Sequence, residues 1–244
     1  MNLNGSNYYS DEANREYFSV SQYKNFMSCE AAALATIKGE YRKTATNPML
    51  IGSYVDAYFE GSLEEFKKNN PGIYTAQKEL KAEFKKAEEI IKRVKRDPLF
   101  MRFMSGEKQK ILTFGMFGVK WKMKMDSFID GVCITDLKVV SDFKSIPKWR
   151  YDIQGAIYQK GVEITMQEKL PFYLAVATKE NEVDLDIFQI PQSVLDSALE
   201  DVEMMIDRYQ EVKNGEDEPI YCGVCDYCKK VKRAGIRNYM DLLN

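Results

Sequence analysis

The alternation of polar and apolar positions in the middle of the chain predicts β-strands. Residues 120–126 (KWKMKMD) and 133–138 (CITDLK) alternate in this way, and the turn signal Asp130-Gly131 lies between them, so the two segments predict a hairpin. Further strands are predicted at residues 107–114, 171–178 and 183–190.

Helical periodicity surrounds these strands. One helix is predicted to begin with Ser19 or Ser21 as its N-cap and to run through Cys29 to Leu34. Residues 1–18 are polar and predict a loose arm. Further helices are predicted at residues 48–59, 64–103, 151–161 and 191–212. This order indicates an α/β (α+β) fold, in which helices flank a central mixed sheet of about five strands.

The composition narrows the chemistry that the chain can perform. It contains no histidine, which excludes Ser-His-Asp hydrolases, Cys-His proteases and metal sites that need imidazole. There is no glycine-rich phosphate loop of the Walker type, so ATP hydrolysis is not expected. Any catalysis must therefore depend on carboxylates, lysine, tyrosine or cysteine. A net charge of −2 still allows nucleic-acid binding, because phosphates need only a local basic face.

Hydropathy indicates a soluble protein. Apolar residues make up 45% of the chain and charged residues 30%, which is ordinary for a globular protein. We find no apolar run long enough to span a bilayer and no secretory signal, so a cytoplasmic protein without a membrane partner is expected.

Two acids and a lysine are the first candidate site. Asp126 ends the first strand of the predicted hairpin, and Asp136 and Lys138 lie two apart on the second, so they share a face. Carboxylates that would repel each other suit a divalent cation, and the lysine suits a phosphate or water beside it. On its own, an Asp-x-Lys tripeptide is more often a pair of surface residues than a metal site.

The helix at 151–161 makes this arrangement more specific. Gln154 and Tyr158 are four residues apart and lie on one helical face. The order of Asp126, Asp136-x-Lys138 and Gln154-x-x-x-Tyr158 resembles the PD-(D/E)xK nuclease superfamily. Within it, the RecB-like and RecE-like phage exonucleases are the most similar branch. The resemblance covers most of the chain and implies a restriction-endonuclease-like core.

The resemblance implies roles for these residues. Mg²⁺ or Mn²⁺ would be held by Asp126, Asp136 and the carbonyl of Leu137, while Lys138 assists the attacking water. The helix residues Gln154 and Tyr158 would hold the scissile strand. The family often has Gly-x-x-x-His on an earlier helix. This chain has Gly52 and then Asp56, which is either a further ligand for a hard cation or a surface aspartate.

The implied activity is that of a metal-dependent deoxyribonuclease, an exonuclease of phage or prophage recombination. Its implied partners are DNA, a single-strand annealing protein and further copies of the chain in a ring. The alternative is an inactive nuclease fold that only binds DNA or protein. The DNA is predicted to lie along Lys120, Lys122, Lys124, Lys144, Lys148 and Arg150, with Trp149 or Tyr151 stacking on a base.

The cysteines near the C-terminus are the second candidate site. Cys222, Cys225 and Cys228 have the spacing of metal ligands. Some nucleases of the resembled family add one upstream cysteine, here Cys29, and bind a [4Fe–4S] cluster. In those nucleases, the gap before the last cysteine is usually wider than the gap between Cys225 and Cys228 here. Zinc is the alternative metal, and free cysteines in a tail are the alternative without one.

A single nuclease-like domain is expected over residues 1–244. Its parts are a helical N-terminal part, a catalytic core, and a C-terminal helix with a cysteine-rich tail, at residues 19–104, 105–190 and 191–244.

Overall fold

The computed structural model describes residues 2–235, so residues 236–244 of the predicted tail lie outside the described residues. The helices are α1 (Asp11–Glu16), α2 (Val20–Ser28), α3 (Glu30–Ile37), α4 (Asn47–Glu60), α5 (Leu63–Asn69), α6 (Ala82–Lys95), α7 (Pro98–Phe103), α8 (Tyr151–Met166), α9 (Gln192–Asn214) and α10 (Asp226–Val231). The strands are β1 (Lys110–Met116), β2 (Val119–Met125), β3 (Ser127–Ile129), β4 (Cys133–Val140), β5 (Phe172–Thr178) and β6 (Leu185–Gln189). Between residues 2 and 235, no helix combines the length and apolar character needed to cross a membrane.

The expected mixed sheet is confirmed, as four strands in the order β3-β4-β5-β6. Strands β4 and β5 are parallel, and the outer pairings are antiparallel. The predicted hairpin partner was wrong, because β2 pairs with β1 in a separate two-stranded sheet. At Asp126 the chain leaves β2, and the short β3 pairs with β4 across the Asp130-Gly131 turn. Gly131 has a φ of 64°, which glycine adopts without strain.

Helices cover both faces of the four-stranded sheet. Leu174 and Val176 of β5 pack into the core shared with α8, α9 and the β1-β2 hairpin. Ala175 and Ala177, which point the other way, pack against α4 and α6. This alternation explains why β5 is apolar throughout, since a strand buried on both faces needs apolar side chains on both.

Two glycines let α8 approach the strands closely. An ideal Cβ at Gly155 would lie 2.7 Å from the ring of Phe172, and one at Gly161 would lie 2.5 Å from the ring of Phe114. The second contact joins α8 to the β1-β2 hairpin. Only glycine fits at these positions without movement of the aromatic rings.

We expect Gly161→Ala to lower the free energy of unfolding by about 1–3 kcal/mol, because the methyl group would overpack the contact with Phe114. Gly52→Ala is the matched control. Gly52 also lies inside a helix, but a Cβ there meets nothing within 4 Å, so the higher helix propensity of alanine should raise the free energy by up to about 1 kcal/mol. Chemical denaturation measures both. A shift in the same direction for both variants would contradict close packing of α8.

The N-terminal segment is folded onto the β1-β2 hairpin, so the prediction of a loose arm was wrong. Ser10 caps α1 by accepting a hydrogen bond from the backbone N–H of Ala13. Phe18 forms a parallel bridge with Trp121 and is 1% exposed. Tyr8 is also buried. The few apolar side chains of this segment are buried and hold it against the hairpin, although its composition is mostly polar.

The predicted helix from Ser19 to Leu34 is interrupted. Ser19 is the N-cap, as predicted, and accepts a hydrogen bond from the N–H of Gln22. Cys29 is extended (φ −168°) and separates α2 from α3. The interruption turns the Cys29 thiol toward Cys228, with the sulfur atoms 3.5 Å apart.

Candidate functional site

Asp126 and Asp136 meet where β2 ends beside β4. Asp126 Oδ2 accepts a hydrogen bond of 2.9 Å from the backbone N–H of Leu137. This bond fixes the first acid against the strand that carries the second. Asp136 is 2% exposed. The structure therefore brings together the two carboxylates that the sequence analysis paired, although by a different strand connection.

Lys138 and Gln154 hold the two oxygens of Asp136. The Lys138 ammonium forms an ion pair with Oδ2, and Gln154 Nε2 donates a 2.7 Å hydrogen bond to Oδ1. Burial alone would lower the pKa of Lys138, but Asp136 and Asp126 outweigh it and raise this pKa. The lysine is therefore an ammonium in this arrangement.

Gln154 and Tyr158, which are predicted to hold the scissile strand, contact protein groups of the site in this structure. Both side chains are buried. Tyr158 donates a 3.0 Å hydrogen bond to the carbonyl of Lys124, while Gln154 binds Asp136. Both residues face inward because α8 packs directly on the strands. They position the site, the tyrosine by holding the end of β2.

Helix α4 adds two further carboxylates. Burial raises the pKa of Asp56 well above its ordinary value, and the charges of Asp126, Asp136 and Glu60 raise it further. The predicted Asp56 thus lies beside the two strand acids. Glu60 follows one helical turn later on the same face, and the sequence analysis missed it although the spacing of four residues was a usable signal.

This crowding of acids fits a divalent cation. Burial, with the charge of Asp126, raises the pKa of Asp136 to about 7, although Lys138 opposes the shift. Asp136 Oδ2 contacts Lys138 but accepts no hydrogen bond of normal geometry from the described residues. Buried carboxylate oxygens with unfilled acceptor capacity are the ligands that Mg²⁺ and Mn²⁺ prefer.

Lys24 of α2 is a second cation at the site, and the sequence analysis missed it. Its ammonium lies 5.1 Å from the ring centre of Tyr151, and that of Lys138 lies 5.3 Å from the same ring. Burial, reinforced by the charge of Lys138, lowers the pKa of Lys24 to about 8. No local pattern marks this lysine, because more than a hundred residues separate it from Asp126, Asp136 and Lys138.

The predicted row of lysines on β2 is largely covered by the N-terminal segment. Lys122 is 1% exposed and donates hydrogen bonds to the carbonyl of Tyr8 (2.5 Å) and to Asn14 Oδ1 (2.8 Å). Its prediction as a DNA contact was wrong for this reason. Lys120 is exposed but forms an ion pair of 2.9 Å with Glu16.

The remaining predicted DNA contacts differ in whether their charges are already paired with carboxylates. Arg150 binds both Asp152 (3.0 Å) and Asp201 (2.6 Å), so two carboxylates offset its charge and we no longer expect it to bind phosphate. Lys124 borders the catalytic acids and lies 4.0 Å from Glu60. Lys144, Lys148 and Trp149 are exposed on the 3₁₀ segment Phe143–Trp149 and stay predicted contacts.

The four predicted cysteines meet at one place. The sulfur atoms of Cys29, Cys222, Cys225 and Cys228 all lie within 4.8 Å of one another, and none forms a disulfide. Backbone N–H groups of Val224 and Cys225 lower the pKa of Cys222 to about 6. Four sulfurs so close, with N–H groups that stabilise a thiolate, fit a metal ion bound by sulfur.

A buried ion pair holds the cysteine loop in place. Glu30, next to Cys29, accepts a 2.8 Å hydrogen bond from Arg208 of α9 and a 2.9 Å bond from the backbone N–H of Ile220. These bonds fix the segment before Cys222 against α3. The cysteine cluster is thus positioned by protein contacts as well as by any bound metal.

The family model of a PDDEXK-like domain of unknown function, DUF3799, matches residues 19–231. The chain belongs to this PDDEXK-like family. The matched range includes every catalytic and cysteine residue described above.

One solved structure is similar over nearly the whole length of both chains. The protein, from Eubacterium rectale and described as a "Putative exonuclease", is 47% identical, with a TM-score of 0.96 over 99% of this chain and 98% of that one. Family and neighbour together support a nuclease. A second structure, SSO0001, is 12% identical over 88% of this chain and 98% of that one, with a TM-score of 0.33, and carries no argument. No curated protein matches the sequence.

Proposed function

We propose that this PDDEXK-like protein is a DNA exonuclease that depends on Mg²⁺ or Mn²⁺ and hydrolyses phosphodiester bonds. The observation that carries the proposal is the meeting of Asp56, Asp126 and Asp136 with Lys138 in one buried site. These side chains come from α4, from the end of β2 and from β4. A purely structural site has no use for a buried aspartate with two partly buried ones beside it, where burial and the neighbouring carboxylates raise the pKa of Asp56 and of Asp136.

A bound divalent cation would polarise the phosphate and lower the pKa of its water. Asp126 and Asp136 would hold the ion, together with Asp56 and the carbonyl of Leu137. Lys138, kept as an ammonium, orients the attacking water and stabilises negative charge on the phosphate. Gln154 keeps one oxygen of Asp136 engaged, so the other oxygen, which contacts Lys138, would be the one available to the ion.

Digestion from an end is supported by the description of the Eubacterium rectale relative as an exonuclease. A role in phage recombination, a single-strand annealing partner and a ring-shaped oligomer extend the proposal. They rest on the resemblance of the Asp136-x-Lys138 and Gln154-x-x-x-Tyr158 motifs to phage exonucleases.

Digestion of end-labelled linear and covalently closed circular duplex DNA tests the proposal. With Mg²⁺ or Mn²⁺, we expect the linear DNA to be degraded and the circle to persist. Excess EDTA should stop degradation, because the carboxylates alone cannot activate water. Activity unchanged by EDTA would overturn the metal mechanism, and equal loss of circles would indicate an endonuclease. No cleavage of any DNA would favour an inactive binding module.

The cysteine cluster is proposed to bind a single zinc ion. The Cys29 and Cys228 sulfurs are 3.5 Å apart, and those of Cys222 and Cys228 are 3.8 Å apart. Tetrahedral zinc with Zn–S bonds of about 2.3 Å needs sulfur spacings of about 3.8 Å. A [4Fe–4S] cluster binds each thiolate to a different iron and needs wider spacings. Metal analysis decides between them, because an iron–sulfur protein would be brown and a zinc protein colourless.

A further inference from the structure

Three tyrosines form a partly exposed row over the cysteine cluster. Tyr41 follows α3, Tyr221 precedes Cys222, and Tyr227 lies in α10. The ring centres of Tyr41 and Tyr227 are 5.2 Å apart, and those of Tyr221 and Tyr227 are 6.5 Å apart with the planes only 17° from parallel. Tyr221 is 56% exposed. We call these residues the tyrosine row.

Unpaired cations lie at the Tyr41 end of the tyrosine row and beside its middle residue, Tyr227. Arg42 and Lys43 directly follow Tyr41, and Lys230 lies one helical turn after Tyr227 on the same face of α10. All are exposed, and no ion pair involves them within residues 2–235. Six exposed cations lie near the row at residues 42–43 and 229–233: Arg42, Lys43, Lys229, Lys230, Lys232 and Arg233. The acids around the row are Glu40, Asp226, Glu218 and Asp217, and Asp217 is already paired with Arg208.

This surface has the chemistry of a single-strand site. Aromatic faces stack on unpaired bases of any sequence, and nearby cations bind the backbone phosphates. In duplex DNA the base faces are stacked on one another, so a duplex could bind the cations through its phosphates but could not stack on the tyrosine rings. A protein that docks on apolar surface would also leave the cations without partners. We propose that the tyrosine row and its flanking cations bind single-stranded DNA.

A groove lies beside this surface, next to the cysteine cluster. It has a volume of about 240 Å³, and its lining includes Asn25 and Ser28 of α2, Thr36 of α3, Tyr41, Lys43 and Asp226. Lys24, the residue before Asn25, lies beside the Tyr151 ring, as does Lys138. Helix α2 therefore carries residues of both the groove and the proposed catalytic site. The proposal assumes, with the proposed function, that the substrate is DNA, but it does not assume cleavage.

Fluorescence anisotropy with the full chain tests the proposal. The background variant is Asp136→Asn, which prevents cleavage without a chelator that would remove metal from the cysteines. The probes are a labelled oligothymidine of about 20 nucleotides, longer than one single-strand site, and a blunt duplex of the same length. Adding Tyr41→Ala and Tyr221→Ala should weaken oligothymidine binding about 10-fold or more, because two stacking faces are lost. Duplex affinity should change by less than about 3-fold, since paired bases do not stack on the rings.

The matched control replaces the same two tyrosines by phenylalanine. It keeps the ring faces and should bind oligothymidine within about 2-fold of the background variant. Unchanged melting temperature and metal content exclude indirect effects through the cysteine cluster. Equal binding by the alanine and background variants would overturn the proposal, as would equal losses for alanine and phenylalanine. The binding measurement is independent of cleavage, so an inactive wild-type enzyme would refute the proposed function and leave this inference standing.

Discussion

Asp136→Asn should lower DNA cleavage by about 100-fold or more, the scale of a lost charge that stabilises a transition state. The asparagine preserves the shape of the side chain and the contact with Gln154, but it removes the negative charge that holds the cation and faces Lys138. DNA affinity should be unchanged or higher, because one repelling charge is lost. The measurement is the initial rate on end-labelled duplex at saturating Mg²⁺.

Asp207→Asn is the matched control, because Asp207 is exposed on α9, away from the acids of α4 and β4. It should cleave at the wild-type rate. Cleavage by the folded Asp136→Asn protein within a few-fold of wild type would remove this aspartate from the chemistry.

Cys29→Ser should remove most of the bound metal and lower thermal stability together. The ion would lose one of four thiolates, and the chain would lose a link between residues 199 apart in sequence. Such a link constrains the unfolded chain, and we expect its loss to cost about 3–5 kcal/mol. This corresponds to a fall in melting temperature on the order of 10 °C for a chain of this length. Calorimetry and elemental analysis of one preparation measure both.

Cys133→Ser is the matched control for the same chemical change. Cys133 is buried in β4, outside the cysteine cluster, so this variant should keep its metal. Full metal content in the Cys29 variant would show that the other three cysteines suffice. Normal stability without metal would show that the ion does not support the fold.

The central part of the site was predictable because its signals are local. Asp136 and Lys138 share a face by strand alternation, and Gln154 and Tyr158 share one by helical spacing. These relations do not depend on which strands pair, so they are correct even though the predicted hairpin was wrong. The contacts of each side chain were not predictable, since residue spacing indicates the face on which a side chain lies but not the group that it meets there. The hydrogen bond from Gln154 to Asp136 is an example.

Apart from Glu60, the contributions that were missed come from distant segments. Lys24 reaches the site from α2, and nothing in its neighbours indicates what it approaches. Alternation placed Lys122 on the same side as Lys120 and Lys124, but it could not show that Tyr8 and Asn14 cover it. A lysine in a strand is normally exposed, and long-range packing overrides that expectation.

The cysteine cluster can assemble only late in the synthesis of the chain. Cys29 leaves the ribosome 199 residues before Cys228, a delay of about 10–40 s at ordinary rates of synthesis. Until Cys222 emerges, Cys29 has no partner from the cysteine cluster. Any metal bound by all four cysteines would therefore be loaded only after nearly the whole chain has been made. A ribosome that stops before Cys222 releases a chain that contains the catalytic acids but cannot join its two ends.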